Sequence, residues 1–304
     1  MNRSLRSTSV AVALFSLWAI AGCFNLDANL LDPGPTITEY KMAAFTGDVD
    51  FRLDSTYALP ASHITVFTLQ SQAPGESSSK KIYAAYLGDT SLIKSDTVIL
   101  YTHGYSHHMD FYYPRAELLA NVGGNQHYGV MMLDYRGYGL SDGKPTEAGL
   151  YADVYAAQAW LKSHGLTGER LIEYGFSLGC APAAYVTANT QTLRPQKLIL
   201  ESPFASADNL VQDGAVLNMP GSFVTSLKLN NVAQIQNVRQ PFCWIHGMSD
   251  QFLSIATNGE VVYKNYHGVY GEAHRISGAD HGTIPQTWGF KNYTDTLYKF
   301  ITRE

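Results

Sequence analysis

The chain has few cysteines, three in 304 residues, and it lacks a basic cluster, an internal repeat and any low-complexity tract longer than Ser77-Ser78-Ser79. Each absence narrows the reading. Lys and Arg number 21 against 26 Asp and Glu, for a formal charge of −5. Without a basic patch this balance argues against nucleic acid as a partner. His107 and His108 are adjacent, so their side chains point apart, and no carboxylate cluster accompanies them, so no metal site is expected there. No other residues call for a cofactor. What remains is ordinary globular material, 45% apolar and 15% charged, enough to bury a sizeable core in one large domain or two small ones. Tyrosine is abundant, with 20 residues, which suits aromatic pockets and plain core packing alike.

The first 22 residues read as a targeting segment. Arg3 and Arg6 form a positive n-region, and residues 10–20 form an apolar stretch too short for a comfortable membrane span. Ala19-Ile20-Ala21 would release a secreted protein. Ile20-Ala21-Gly22-Cys23 instead resembles the lipobox of bacterial lipoproteins, which implies lipidation of Cys23 and anchoring to the cell envelope. Several acyl chains on one residue would give the stable anchoring that one chain does not. Phe24 stands where an Asp would signal inner-membrane retention, so in a cell with an outer membrane the resemblance leans toward that membrane. Cys180 and Cys243 remain. One starts a predicted helix and the other lies inside a predicted strand, so two buried free thiols are expected.

Residues 23–60 read as an anchored linker and irregular lead-in, with Pro33, Gly34 and Pro35 breaking any helix. From 61 onward, apolar runs alternate with helical patterns. Strands are predicted at 64–69, 81–87, 97–102, 129–134, 170–174, 197–200, 242–245 and 274–277. Helices are predicted at 111–121, 147–163, 178–188, 259–266 and 288–302, with Thr146 as a helix start. Such alternation predicts an α/β fold, a mostly parallel central sheet with helices on both faces. The rhythm fails at about 205–240, which reads as a short cap insertion. Ligands of open parallel sheets bind at the carboxyl ends of the strands, so reactive side chains just after strands are the candidates.

Gly175-Phe176-Ser177-Leu178-Gly179 is a G-x-S-x-G pentapeptide. It sits between a predicted strand and a predicted helix, the context a nucleophile elbow requires. A serine helix cap would also fit that position. The helix start offers the Leu178 N–H to a developing oxyanion. His103-Gly104-Tyr105 closes the 97–102 strand, and the Tyr105 N–H is the candidate second oxyanion donor. After Ser177 the expected order is acid, then histidine. Asp250 follows the 242–245 strand. Of the later histidines, His267 ends a helix and His274 starts a strand, whereas His281 follows a strand's carboxyl end. Glu201 and Asp280 are the alternative acids.

These segments together resemble the α/β-hydrolase fold, and more narrowly the ABHD-like serine hydrolases of monoacylglycerol-lipase-like and depalmitoylase-like type. The resemblance rests on VILYTHGYS at 98–106, DYRGYGLSDGKPTEAGLYAD at 134–153, YGFSLG at 174–179, LILESPF at 198–204, IHGMSD at 245–250 and GADHG at 278–282. It implies a nucleophile Ser177, an acid Asp250 and a base His281, acting without a cofactor on a small acyl ester or thioester. A peptidase of the same fold, or a non-catalytic envelope binding protein, is the alternative. Such relatives usually carry a small polar residue where Tyr105 stands. Tyr105, with Phe111, Tyr112 and Tyr113 nearby, implies a bulkier and more aromatic pocket mouth.

Overall fold

The computed structural model describes residues 25–124, 128–215 and 224–303. Residues 1–22, read above as a targeting segment, and Cys23 lie outside the described residues. Among the described residues, no helix is long and apolar enough to cross a membrane.

Eight strands form one sheet: β1 (Ile64–Ser71), β2 (Lys80–Leu87), β3 (Val98–Thr102), β4 (Gly129–Leu133), β5 (Leu171–Phe176), β6 (Lys197–Glu201), β7 (Phe242–Gly247) and β8 (Gly271–Ile276). Their spatial order is β1-β2-β4-β3-β5-β6-β7-β8. The β1–β2 and β2–β4 pairs are antiparallel, and the remainder are parallel. The expected mostly parallel sheet is therefore present, with an antiparallel hairpin at one edge. Strands β3 to β7 are buried along their whole length, which is why their sequences read as continuous apolar runs rather than alternations.

Successive side chains of a strand point to opposite faces, and the core divides accordingly. Ile99, Tyr101, Val130, Met132, Ile172 and Tyr174 pack on one face against α2 (Met109–Ala120) and α9 (Phe290–Thr302). Val98, Leu100, Met131 and Leu133 pack on the other against α3 (Glu147–Ser163). Thr146 caps α3, its Oγ1 accepting the Gly149 N–H at 3.1 Å. Further along, β6 and β7 are covered by α4 (Cys180–Ala188), α6 (Asn231–Ile235) and α7 (Gly259–Lys264). Cys180 and Cys243 are buried and free.

Three differences from the sequence reading have local causes. Strand β8 begins at Gly271, so His274 lies within the strand rather than at its start. This strand closes the sheet's edge and is half-exposed, so GEAHRI carries charged residues and hid its first half. The final helix is broken: α8 (Ile284–Trp288) stops at Gly289, whose φ of +88° no helix accommodates, and α9 restarts after it. Strand β5 runs two residues further than expected, to Phe176, directly against Ser177.

Between β6 and β7 the chain departs from the strand–helix rhythm and forms α5 (Ala207–Ala215) and then α6. The stretch read as linker and lead-in packs onto the domain from its first described residues. A single turn, α1 (Asp27–Leu30), precedes Leu31, which is buried in the core.

Candidate active site

The carboxyl ends of β3, β5, β7 and β8 converge, and each delivers one of the residues singled out in the sequence. Ser177 follows β5 with φ of +53°, a left-handed conformation that costs a non-glycine residue of order 1 kcal/mol or more. The turn is forced by packing. A Cβ at Gly179 would lie 2.0 Å from the Thr102 carbonyl oxygen of β3, so the helix can come this close only with glycine there. Thr102 completes the contact, its Oγ1 donating to Gly179 O at 2.8 Å and to Tyr174 O at 3.0 Å.

The Ser177 hydroxyl does not cap the helix. Its Oγ lies 2.8 Å from His281 Nε2, and His281 Nδ1 lies 2.7 Å from Asp250 Oδ2. Facing a carboxylate, Nδ1 carries the proton and donates it, leaving Nε2 to accept from the serine. Asp250 Oδ1 accepts the backbone N–H groups of Phe252 and Leu253 at 2.9 and 2.7 Å. Burial alone would raise the Asp250 carboxyl. Hydrogen bonds from His246 and His281 outweigh burial and hold it well below the usual carboxylate range.

His246 is a participant the sequence reading missed. It is fully buried in β7, four residues before Asp250, with Nε2 3.1 Å from Asp250 Oδ2 and 3.3 Å from the Leu253 carbonyl. Its Nδ1 is buried without a partner, so the proton resides on Nε2 and points at the acid. The i, i+4 spacing within IHGMSD was the available signal.

A second unrecognised group is Arg115 of α2, 1% exposed. Its Nη1 donates to Glu201 Oε1 at 2.5 Å and its Nη2 to the Gly282 carbonyl at 2.9 Å. The guanidinium carbon lies 4.0 Å from the centre of the Phe176 ring, and that ring is 5.4 Å from the His281 ring. Asp50 reaches the same arginine at 3.4 Å. Burial raises the Asp50 carboxyl, and the nearby charge of Arg115 only partly offsets this. The brace thus touches the residue before Ser177 and the residue after His281. Glu201, an alternative acid in the sequence, belongs to this brace and is also bonded by Tyr174 and by Tyr293, the latter at 2.6 Å. Asp280, the other alternative, accepts the backbone N–H groups of His281 and Gln251.

Tyr105 follows β3, and its carbonyl accepts the Tyr112 hydroxyl at 2.7 Å, which pins the loop. Leu178 is the second residue of the one-turn 3-10 helix Ser177–Gly179, and an N–H in the first turn has no intrahelical acceptor. His107 stacks on Phe111 at 3.9 Å. His108 lies 3.9 Å from Asp110 and packs against Phe45. His274 bonds Glu272 on β8, and His267 is exposed beyond α7. A cavity of about 200 Å³ opens beside Ser177, Leu178 and Tyr105. Its other walls are Phe204, Phe252, Leu210 and Val211, together with Leu26, Asn29 and Leu30 of the amino-terminal segment.

This sheet order, with a strained serine turn after the fifth strand and an acid and a histidine following later strands, defines the α/β-hydrolase fold. The comparisons agree. The family profile described as "Serine aminopeptidase, S33" matches residues 93–233. Human alpha/beta hydrolase domain-containing protein 17B is 29% identical over 178 residues, covering 58% of this chain and 57% of that protein. The Xenopus tropicalis protein 17C is 30% identical over 178 residues, covering 58% and 53%. The matched region thus spans little more than half of these relatives. Among solved structures, the Pyrococcus furiosus esterase Pf2001 superposes with a TM-score of 0.62 at 20% identity, covering 79% of this chain and 90% of that one. Est1E from Butyrivibrio proteoclasticus, solved with ferulic acid, superposes with a TM-score of 0.58 at 17% identity, covering 76% and 97%. The chain has the α/β-hydrolase fold, and its sequence is similar to α/β-hydrolase proteins over little more than half its length.

Proposed function

We propose that the protein is a serine hydrolase that cleaves carboxylic ester or thioester bonds through an acyl-enzyme. The observation that carries the reading is the continuous path Ser177 Oγ–His281 Nε2 at 2.8 Å and His281 Nδ1–Asp250 Oδ2 at 2.7 Å, built on a strained strand-to-helix turn. In this reading Ser177 Oγ attacks the acyl carbonyl while its proton passes to His281 Nε2. The tetrahedral oxyanion takes hydrogen bonds from the backbone N–H groups of Tyr105 and Leu178. Asp250 stabilises the imidazolium and fixes its tautomer. His281 then protonates the departing alkoxide or thiolate as the carbonyl reforms. Water repeats the sequence, giving its proton to His281, and the free acid leaves as Ser177 regains a proton.

The family profile's description raises the peptidase alternative. An aminopeptidase must hold a substrate ammonium, and among the described residues no carboxylate lines the cavity beside Ser177. That favours an uncharged acyl group. The test is turnover of p-nitrophenyl esters by Ser177→Ala, for which kcat falls about 10⁶-fold. Near-normal turnover would remove Ser177 from the mechanism.

The same proposal places the protein at the cell envelope through lipid on Cys23. Unchanged membrane fractionation and fatty-acid labelling of Cys23→Ala would defeat that part alone.

A further inference from the structure

The cavity beside Ser177 is not built by the hydrolase domain alone. Leu26, Asn29 and Leu30 form one wall, and the chain that carries them is tied at both ends. At one end, Asp27 Oδ1 accepts the Thr225 hydroxyl at 2.6 Å and the Ser226 N–H at 2.9 Å, and Oδ2 accepts the Ser226 hydroxyl at 2.5 Å. The Leu26 N–H donates to the Val224 carbonyl at 2.7 Å. Burial acts to raise the Asp27 carboxyl, but these hydrogen bonds prevail and lower it to about 2, so the latch stays charged and made at neutral pH. At the other end, Gly34 has φ of +75°, and a Cβ there would fall 1.9 Å from the Ser106 carbonyl oxygen. Only glycine lets the strap lie flat on the loop that carries Tyr105. Between the two ties, Leu31 is buried in the core.

We infer that residues 25–34 are a strap that sets acyl-chain specificity, with Leu26 and Leu30 forming the wall against which the substrate's acyl chain ends. The inference rests on the reading of Ser177 as the acyl acceptor. A cavity of about 200 Å³ lies below the range of about 300–1,000 Å³ that holds drug-sized ligands. Its apolar walls suit a short, uncharged acyl group. A longer chain must displace the strap, and displacement breaks the Asp27 latch. Specificity therefore resides in a segment far in sequence from every residue of the catalytic path.

The experiment measures kcat/KM of the full chain for p-nitrophenyl acetate, butyrate, octanoate and laurate, with wild type, Leu30→Ala, Leu30→Trp and Asp27→Ala. Wild type prefers the short esters. Leu30→Ala raises the octanoate-to-butyrate ratio about tenfold, the order supplied by burying one or two further methylenes. Asp27→Ala moves the ratio the same way by releasing the latch, and Leu30→Trp moves it the opposite way. Opposite shifts from two substitutions at one site are not produced by misfolding. Ratios within twofold of wild type in all three variants, with wild type active and labelled by a fluorophosphonate, would overturn the strap while leaving the serine-hydrolase reading intact. A wild type that neither labels nor turns over any ester would bring down both.

Discussion

Arg115 and Gly282 stand 167 residues apart in sequence, yet the buried guanidinium Nη2 donates to the Gly282 carbonyl at 2.9 Å. The same guanidinium carbon lies 4.0 Å from the centre of the ring of Phe176, the residue before Ser177. One side chain therefore sets both the elbow and the histidine loop against a common fixed point. Ser202 adds a second grip, its hydroxyl donating to the His281 carbonyl at 3.3 Å.

Removing that point has a predictable cost. Arg115→Met leaves Glu201 buried without its cation, and breaking a buried pair in this way costs about 3–5 kcal/mol. Urea denaturation should show that loss, and Arg115→Met/Glu201→Gln should recover part of it. In the single variant kcat falls more than KM rises, because the effect is on the placement of His281 rather than on substrate contacts. A single variant as stable and active as wild type would remove Arg115 as a positioning residue.

Asp250 gives a prediction in both activity and stability. Asp250→Asn should lower kcat about 10⁴-fold, because an amide can no longer enforce the His281 tautomer. The folded-state pKa of Asp250 is depressed, so its ionised form contributes stability above the ordinary carboxylate range, and that contribution is lost as pH falls below it. The stability gap between wild type and Asp250→Asn should therefore narrow on going from pH 6 to pH 3. A gap that is constant with pH would contradict the assignment.

Glu173 carries the opposite sign. It is fully buried in β5, bonded to Gln158 Nε2 at 2.6 Å, and burial pushes its carboxyl up from 4.5 to about 8. Between those values the unfolded chain is ionised and the folded one is not. Stability should therefore fall by up to about 1.4 kcal/mol per pH unit as pH rises across that window. Glu173→Gln keeps the acceptor for Gln158 and removes the titration. Its unfolding midpoint should show a flatter fall with pH and should exceed that of wild type at pH 8.5. Parallel curves for the two proteins would refute the shift.

Much of this was legible in the sequence for a physical reason. Buried parallel strands must be apolar on both faces, so TVILYT and GVMMLD were readable as strands, and the residue types that follow such strands are few. Ser177, Asp250 and His281 stand out by their motifs and their places after strands, with Glu201 and Asp280 as alternative acids, and the structure places His281 within hydrogen-bonding distance of both Ser177 and Asp250. His246 was hidden because a histidine inside an apolar strand looks like core. Arg115 was hidden because its partners lie about 90 and 170 residues away in the chain. The strap was hidden because Asp27, Leu30 and Gly34 read as linker when no partner is known. Long-range closure of this kind leaves no periodicity in a sequence.

The central claim is that Ser177 is an activated nucleophile. The most direct measurement is intact-mass analysis and peptide mapping of the protein after treatment with a fluorophosphonate. The account predicts a single adduct on Ser177, fully occupied in wild type, absent in Ser177→Ala and formed far more slowly in His281→Ala. A folded wild-type protein that acquires no adduct, or one whose adduct maps to another residue, would contradict it.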